Sequence, residues 1–414
     1  MEKLRLGLVG CGGMGTRHLY GLKELTESPY ANVELAALCD IRQENAELAA
    51  KEAEELLGVR PQVFTDLEEM ARHTDDLAAV DVVTDPSVHH DVVCQALDLG
   101  LHVMVEKPMA ITVRACQLMV EAAARNKRII SVAENFRRDP SARVVRHLLE
   151  TGEIGTLHMA LYHSLGAGDK IFITPWRHQK ERGGFILDMA VHFTHMIRYQ
   201  LGDIAEVYGD ARMVEPVRRK SGSMSLGYEF YRKRFSAMDG EIEAAAEDTT
   251  QALFRMESGI MLNLIVAISG HSSSDRTLIL GERGSIEGFG NRGTRVSLER
   301  RDEESMTQEQ LLAAHPDLTL DPLTRHLFPT GVTDTDPKVD IKLIAYELHE
   351  LGEAVLNGRP VEVDGACGMK DVAALYAVFE SAVAGRAVRM SEVENCEVYD
   401  YQAEIDAALG IAQP

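Results

Sequence analysis

The chain lacks long apolar runs and an excess of positive charge, although it has 414 residues. No apolar stretch approaches the roughly 20 residues that a membrane-spanning helix needs. The N-terminus, MEKLRLGLVG, enters a strand directly and leaves no room for a signal peptide. The net charge of -22 argues against a nucleic-acid partner, because such binding depends on lysine and arginine clusters. We therefore expect a cytoplasmic protein with no membrane and no nucleic-acid partner.

Cysteine pairing is also missing from the sequence. The six cysteines show no CxxC pair and no paired spacing, which favours free thiols in a reducing compartment. A composition of 45% hydrophobic and 26% charged residues is typical of a globular protein. The length exceeds what one small core accommodates, so we expect two domains.

The first third of the chain alternates strands with helices. Apolar strands are predicted at 4–10, 33–40, 62–64, 77–84, 101–106 and 128–132, with helical spacing between them. This alternation predicts βαβ units and a parallel sheet. We assign residues 1–136 to an α/β domain.

After Asn135 the pattern changes to consecutive strands with short turns. These strands are predicted at 157–165, 205–213, 249–257, 260–268, 276–282, 284–288 and 294–299. Their order predicts an antiparallel sheet in an α+β domain, 137–414, with one helix at 184–201 and closing helices at 340–357 and 367–384. Two polar stretches, 215–247 and 300–340, are predicted to be insertions or lids.

A glycine-rich turn follows the first strand. Gly10, Gly12 and Gly15 fit G-x-G-x-x-G, with Gly13 and Met14 inside the motif. Such glycines permit a tight turn, let a pyrophosphate approach the backbone and let helix and strand pack closely. Asp40 ends the second strand, where a carboxylate binds ribose hydroxyls and repels a 2′-phosphate. NAD is therefore the expected cofactor, and NADP is disfavoured, although Arg42 would weaken that preference.

The segment Glu106-Lys107-Pro108 ends the fifth predicted strand. Proline cannot extend the ladder, so the strand stops there. Lys107 is thereby placed at the carboxyl edge of the sheet, where open α/β folds bind their ligands.

Together these motifs resemble the Gfo/Idh/MocA family of oxidoreductases, which includes glucose–fructose oxidoreductase and inositol 2-dehydrogenase. The resemblance continues through Thr84-Asp85-Pro86-Ser87-Val88-His89, Trp176-Arg177 and a Gly183-Gly184-x-x-x-Asp188-x-x-x-His192 motif. It implies a Rossmann domain followed by an open, predominantly antiparallel sheet, with the nicotinamide between them. It also implies a cis Lys107–Pro108 bond and a cofactor site lined by Thr84, Pro86, His89, Glu106, Asn135, Trp176 and Arg177.

Asp188 and His192 are four residues apart on a predicted helix and so share one face. We expect the Asp188 carboxylate to orient His192, which then removes the hydroxyl proton of the substrate. Lys107 would bind the same oxygen and stabilise its negative charge. The sequence leaves open whether Lys107 is itself the base.

His195 departs from the family pattern, in which an aspartate is common at this position. With Asp188 and His192 it forms an i, i+4, i+7 series, which suits a divalent metal. Because a metal would occupy the proposed base, we expect no metal and interpret His195 as a substrate contact. His163 and His178 are further candidate substrate ligands, with surface positions as the alternative.

The predicted function is oxidation or reduction of a secondary hydroxyl in a sugar, glycoside or cyclic polyol with NAD(H). One alternative is an NAD-dependent glycosidase or lyase that oxidises its substrate transiently. Another is a nucleotide-sensing regulator without catalysis, which would have no chemical need for Lys107, Asp188 and His192. We expect a homodimer or homotetramer, because the open sheet needs covering.

Overall fold

The structure is a computed structural model that describes residues 2–221, 232 and 235–411. Its first sheet has six parallel strands in the order β3-β2-β1-β4-β5-β6. The strands are β1 (Leu4–Val9), β2 (Val33–Cys39), β3 (Gln62–Phe64), β4 (Ala79–Val82), β5 (His102–Glu106) and β6 (Ile130–Ala133). The strand order reverses between β1 and β4, which is the switch point where doubly wound folds bind nucleotides.

Helices cover both faces of this sheet, as parallel strands require. They are α1 (Gly13–Thr26), α2 (Gln43–Leu57), α3 (Leu67–His73), α4 (His89–Asp98) and α5 (Val113–Asn126). All four residues of β4 are buried. The predicted α/β domain is confirmed in its fold.

The second sheet is mixed and has nine strands in the described part of the chain. Its order is β16-β15-β14-β13-β7-β12-β11-β8-β17, and only β7 and β12 pair in parallel. The strands are β7 (Leu157–Ala167), β8 (Ile204–Arg212), β11 (Thr249–Met256), β12 (Met261–Gly270), β13 (Ser274–Gly281), β14 (Gly284–Glu287), β15 (Ser297–Arg300), β16 (Met306–Thr307) and β17 (Val388–Arg389). The predicted antiparallel character is therefore confirmed, with one parallel exception.

Helices α6 (Pro140–Glu150), α7 (Gly184–Leu201) and α11 (Gly365–Ala384) pack around this sheet and between the domains. The remaining helices are α8 (Gln308–Ala314), α9 (Pro322–Leu327), α10 (Val339–Asn357), α12 (Met390–Glu394) and α13 (Ala403–Leu409). The predicted insertion 300–340 therefore contains two short helices. The insertion 215–247 contributes the hairpin of β9 (Val217–Arg219) and β10 (Glu241–Glu243), and residues 222–231, 233 and 234 lie outside the described part.

Helix α10 returns to the first domain. Leu343 and Ile344 of α10 share an apolar core with Leu22 and Leu25 of α1. The division of the chain at residue 136 thus stays a prediction, since α10 lies after that boundary in the chain and packs against α1 of the first domain. No described helix is long and apolar enough to span a bilayer, and all six cysteines are free.

Candidate active site

Glycines in the turn between β1 and α1 let its backbone lie close to neighbouring backbone atoms. Gly10 has φ +99°, and a Cβ there would lie 2.8 Å from the backbone carbon of Val83. A Cβ on Gly15 would overlap the carbonyl oxygen of Gly10. Gly12 caps α1 without a side-chain hydrogen bond, so the first helical amides remain available to an anion. The turn therefore fits a pyrophosphate group.

Asp40 lies immediately beside this turn. Its Oδ2 accepts a hydrogen bond from the Cys11 amide at 2.8 Å, and its Oδ1 accepts from the Arg42 amide at 2.8 Å. The carboxylate is thereby fixed at the carboxyl end of β2, where it can receive ribose hydroxyls. Arg42 itself is exposed at the start of α2.

The other residues expected to bind the cofactor follow the strands of the first sheet. Thr84, Pro86 and His89 come after β4, Glu106 ends β5, and Asn135 comes after β6; Gly13 and Met14 begin α1. The buried Thr84 Oγ1 has no hydrogen-bond partner among the described residues, which leaves it available to a ligand. His89 is fully buried, with ring nitrogens 3.0 Å from the Pro108 carbonyl and 3.2 Å from the Thr84 carbonyl. His89 therefore connects the segment after β4 to the segment after β5.

Lys107 emerges from the end of β5, and the Lys107–Pro108 bond is cis, as the resemblance implied. Its Nζ donates to the backbone oxygen of Asp188 at 2.9 Å and to Asp188 Oδ1 at 3.2 Å. The Glu106 carboxylate accepts from the Lys107 amide at 2.9 Å. An ammonium group has three N–H donors, and two of them are used here. The third has no partner among the residues that the structure describes, so it is available to a ligand oxygen.

Asp188 binds a second cation. Arg177, in the 3₁₀ turn Pro175–His178, donates from Nε to Asp188 Oδ2 at 2.7 Å, and its guanidinium lies 4.3 Å from the Trp176 ring centre. Burial alone would raise the pKa of Asp188, but Arg177 and Lys107 lower it well below its usual range. Asp188 is therefore an ionised group that holds Lys107 in place.

His192 takes its carboxylate partner from the first domain. Its Nδ1 lies 2.6 Å from Oε1 of Glu134, and its ring stacks on Phe136 with the ring centres 3.9 Å apart. The prediction that Asp188 orients His192 is wrong, because both Asp188 oxygens are bound by Lys107 and Arg177.

The spacing along α7 explains this exchange of partners. Residues four apart on a helix are separated by about 6 Å along its axis, and neighbouring strands lie about 4.8 Å apart. Asp188 thus contacts Lys107, which follows β5, while His192 contacts Glu134, which follows β6. Each side chain meets the strand end nearest to it.

The protonation states suit a base at His192. Burial opposes ionisation of Glu134, but interaction with His192 lowers the pKa of Glu134 to about 2. Burial lowers the pKa of His192, and the positive charges of Lys107 and Arg292 add to this effect, which the opposing interaction with the Glu134 carboxylate does not cancel. A neutral His192 that donates Nδ1–H to the Glu134 carboxylate presents an unprotonated Nε2.

His195 is bound by a carboxylate other than Glu134. It is 1% exposed, and its Nδ1 lies 2.7 Å from Oδ2 of Asp371 on α11. Burial opposes its charged form, but Asp371 raises the pKa of His195 to about 9. The structure thus places His195 in a buried ion pair and gives no support to the predicted substrate contact.

Two other predicted substrate ligands also lie outside the site. Tyr162 Oη donates to Gln200 on α7 at 3.0 Å, so alternation along β7 puts His163 on the opposite face of the sheet. His178 is buried and its Nε2 accepts from the Phe172 amide at 3.0 Å. Burial is the main cause that lowers the pKa of His178 to about 4. We leave both residues out of the proposed substrate site.

Two clusters of potential metal ligands exist among the described residues, and neither contains Asp188 or His192. One is His147, His315 and Asp317, and the other is His195, Cys367 and Asp371. In the second, Arg198 donates to Asp371 Oδ1 and lies 3.8 Å from the Cys367 sulfur, so a cation already fills it. The alternative of a metal held by Asp188, His192 and His195 finds no support, since each has a different partner.

Four site residues escaped the sequence analysis: Glu134, Phe136, Arg292 and Asp340. Arg292 Nη1 donates to Asn135 Oδ1 at 3.1 Å and lies 3.3 Å from Asp340 Oδ1. Its guanidinium carbon is 5.1 Å from the Phe136 ring centre. Glu134 and Phe136 were detectable because they follow β6 at the carboxyl edge, as Asn135 does. Arg292 and Asp340 carry no sequence signal beyond the glycines around Arg292.

Comparison with known proteins agrees with this geometry. Residues 4–134 match the model of the oxidoreductase family with an NAD-binding Rossmann fold, and residues 142–287 match the Gfo/Idh/MocA C-terminal domain. The chain belongs to the Gfo/Idh/MocA family. It is therefore an NAD-dependent oxidoreductase, with NAD bound by the first domain.

Named relatives act on sugars and polyols. The myo-inositol 2-dehydrogenase of Thermotoga maritima is 25% identical over 394 residues, which covers 94% of this chain and 99% of that protein. The levoglucosan dehydrogenase of Pseudarthrobacter phenanthrenivorans is 28% identical over 211 residues, about half of each chain, at 50% and 53%. A levoglucosan dehydrogenase structure with NADH and levoglucosan has a TM-score of 0.74 at 21% identity, covering 94% of this chain and 100% of that one. That likeness establishes the fold.

Proposed function

We propose that this family member is a dehydrogenase that transfers hydride between NAD and a secondary hydroxyl of a sugar or cyclic polyol. The observation that carries the proposal is that Lys107 and His192 both lie at the carboxyl edge of the first sheet. Asp188 on α7 binds Lys107, and Glu134 binds His192 one helical turn further along. A hydroxyl placed between the free N–H of Lys107 and Nε2 of His192 meets both a donor and a base.

The proposed roles differ for the two residues. His192 takes the hydroxyl proton at Nε2 as the hydroxyl carbon loses hydride, and the resulting imidazolium is stabilised by the Glu134 carboxylate. Lys107 donates to two oxygens of Asp188, and its remaining N–H stabilises negative charge on the substrate oxygen. NAD supplies the hydride acceptor. Asp188 and Arg177 hold Lys107 in position.

The test incubates the protein with NAD and a panel of inositols, sugars and glycosides. Formation of NADH is measured by its absorbance. Stoichiometric NADH with at least one free sugar or polyol supports the proposal. Release of an aglycone without net NADH would instead favour the lyase alternative. Tight NAD binding without either reaction would contradict both.

We also propose that the chain assembles through the outer face of the second sheet. Leu253 pairs in register with Tyr208, and Met261 pairs with Met159, on the face away from α7. These side chains are 36–57% exposed. Contiguous exposed apolar side chains favour a contact with a second copy. Light scattering during size exclusion tests this: a dimer or tetramer that Leu253→Lys dissociates supports it, and a monomeric parent protein would contradict it.

A further inference from the structure

Arg292 reaches the active site from the second domain. It lies in the loop between β14 and β15, which bends through Gly288, Gly290 and Gly293 at positive φ. Its guanidinium carbon is 5.1 Å from the centre of the Phe136 ring, on which His192 stacks. Arg292 and His192 therefore both lie against the Phe136 ring.

Much of the hydrogen-bonding capacity of Arg292 is unused. Only Nη1 has partners among the described residues, namely Asn135 and Asp340. Nε and Nη2 make no described contact, and the side chain is 29% exposed. A guanidinium offers its N–H groups as a planar fork that matches the two oxygens of a carboxylate.

Two carboxylates of the site are each shared by two cations. Asp340 is shared by Arg292 at 3.3 Å and by Arg17 at 3.1 Å. Asp188 is likewise shared by Lys107 and Arg177. Arg292 therefore has to share the charge of Asp340 with Arg17, and an anionic ligand would complete its pairing.

We propose that the substrate carries a carboxylate, as a sugar acid or uronate does, and that Arg292 binds it through its free N–H groups. This inference rests on the proposed dehydrogenase function and adds the substrate class. The reacting hydroxyl lies at His192 and Lys107, and the carboxylate lies at the Phe136 side of the cleft. Arg292 is then the residue that separates sugar acids from neutral sugars.

The experiment compares matched pairs of sugars that differ in the carboxylate: D-glucuronate with D-glucose, and D-galacturonate with D-galactose. Arg292→Gln removes the charge and keeps an amide near Asn135. Arg295→Gln is the matched control, because Arg295 lies on the same loop but is paired with Asp334 at 2.6 Å, away from the site. Each protein is assayed for kcat/KM with NAD.

We expect the parent protein to favour at least one uronate over its neutral partner by about tenfold or more, because bonds to charged groups are the strong ones. Arg292→Gln should lower the ratio of kcat/KM for that uronate to kcat/KM for its neutral partner by about 10- to 100-fold. Arg295→Gln should change neither. Equal losses on both sugars, or a preference for the neutral sugar, would overturn the inference.

A binding measurement separates this inference from the proposed function. With NADH present, the heat of binding of each uronate is measured for the parent protein and both variants. Uronate binding that Arg292→Gln loses and Arg295→Gln keeps supports the carboxylate site, even if no sugar is oxidised. Absence of uronate binding by the parent protein, or unchanged binding by Arg292→Gln, contradicts it. Failure of every sugar to yield NADH contradicts only the dehydrogenase proposal.

Discussion

The Glu134 carboxylate lies 2.6 Å from Nδ1 of His192 and joins the last strand of the nucleotide-binding sheet to helix α7 of the second domain. The contact is buried on both sides, with 2% of the Glu134 side chain and 6% of the His192 side chain exposed. It selects the tautomer with its lone pair on Nε2, because the ionised carboxylate accepts only from Nδ1–H. The proposed base and the carboxylate that orients it thus come from different sheets and helices of the chain, Glu134 from the end of β6 and His192 from α7.

Glu134→Gln tests this relationship through the pH profile. His192 must be neutral to act as a base, so kcat/KM should fall as the pH drops through the His192 pKa, which burial places below its ordinary value. Loss of the carboxylate removes a stabiliser of the imidazolium. The acidic limb should therefore move to lower pH while kcat falls at least about tenfold. An unchanged limb would contradict the role of Glu134.

Lys107→Met should lower kcat by about 100- to 1,000-fold, because it removes the proposed hydrogen-bond donor to the reacting oxygen. The affinity for NADH, measured by fluorescence titration, should stay within a few fold, since the glycine turn and Asp40 are untouched. Lys180→Met is the control, because Lys180 pairs with Glu404 outside the site. Full turnover by Lys107→Met would refute the assignment.

Asp40→Ser should shift cofactor preference towards NADP. The substitution removes the acceptor of ribose hydroxyls and the charge that repels a 2′-phosphate. We expect kcat/KM for NAD to fall about 10- to 100-fold and that for NADP to rise. The measurement is the ratio of kcat/KM for the two cofactors, and an unchanged ratio would show that Asp40 does not face the ribose.

His195 should make stability depend on pH. Its folded-state pKa of about 9 exceeds the ordinary value, so the imidazolium paired with Asp371 stabilises the folded protein fully below pH 6.5. That contribution, on the order of 3 kcal/mol, should be lost as the pH rises towards 9. Urea midpoints at several pH values should fall over this range for the parent protein. They should fall less for His195→Gln, and the exposed control His158→Gln should follow the parent.

Local signals predicted much of the nucleotide site. The glycine turn, Asp40 and Lys107 each sit where a strand ends, and a parallel sheet brings all such ends to one edge. The fold of both domains was predictable from strand and helix periodicity, because that periodicity is also a local property of the sequence. Errors arose where a side chain had a choice of partner: Asp188 was assigned to His192 by its helix spacing and instead binds Lys107.

The sequence by itself determined the alternation of strands and helices, the glycine turn, and the placement of Lys107, Asp188 and His192 on defined elements, because each depends on short-range spacing. Only the tertiary structure decided which carboxylate pairs with which cation. It also decided that His195 and His163 lie outside the proposed substrate site and that Arg292 lies beside Asn135 and Phe136. These facts depend on how α7 and the β14–β15 loop pack over the ends of β5 and β6. Contacts across more than 50 residues of chain carry no periodic signal.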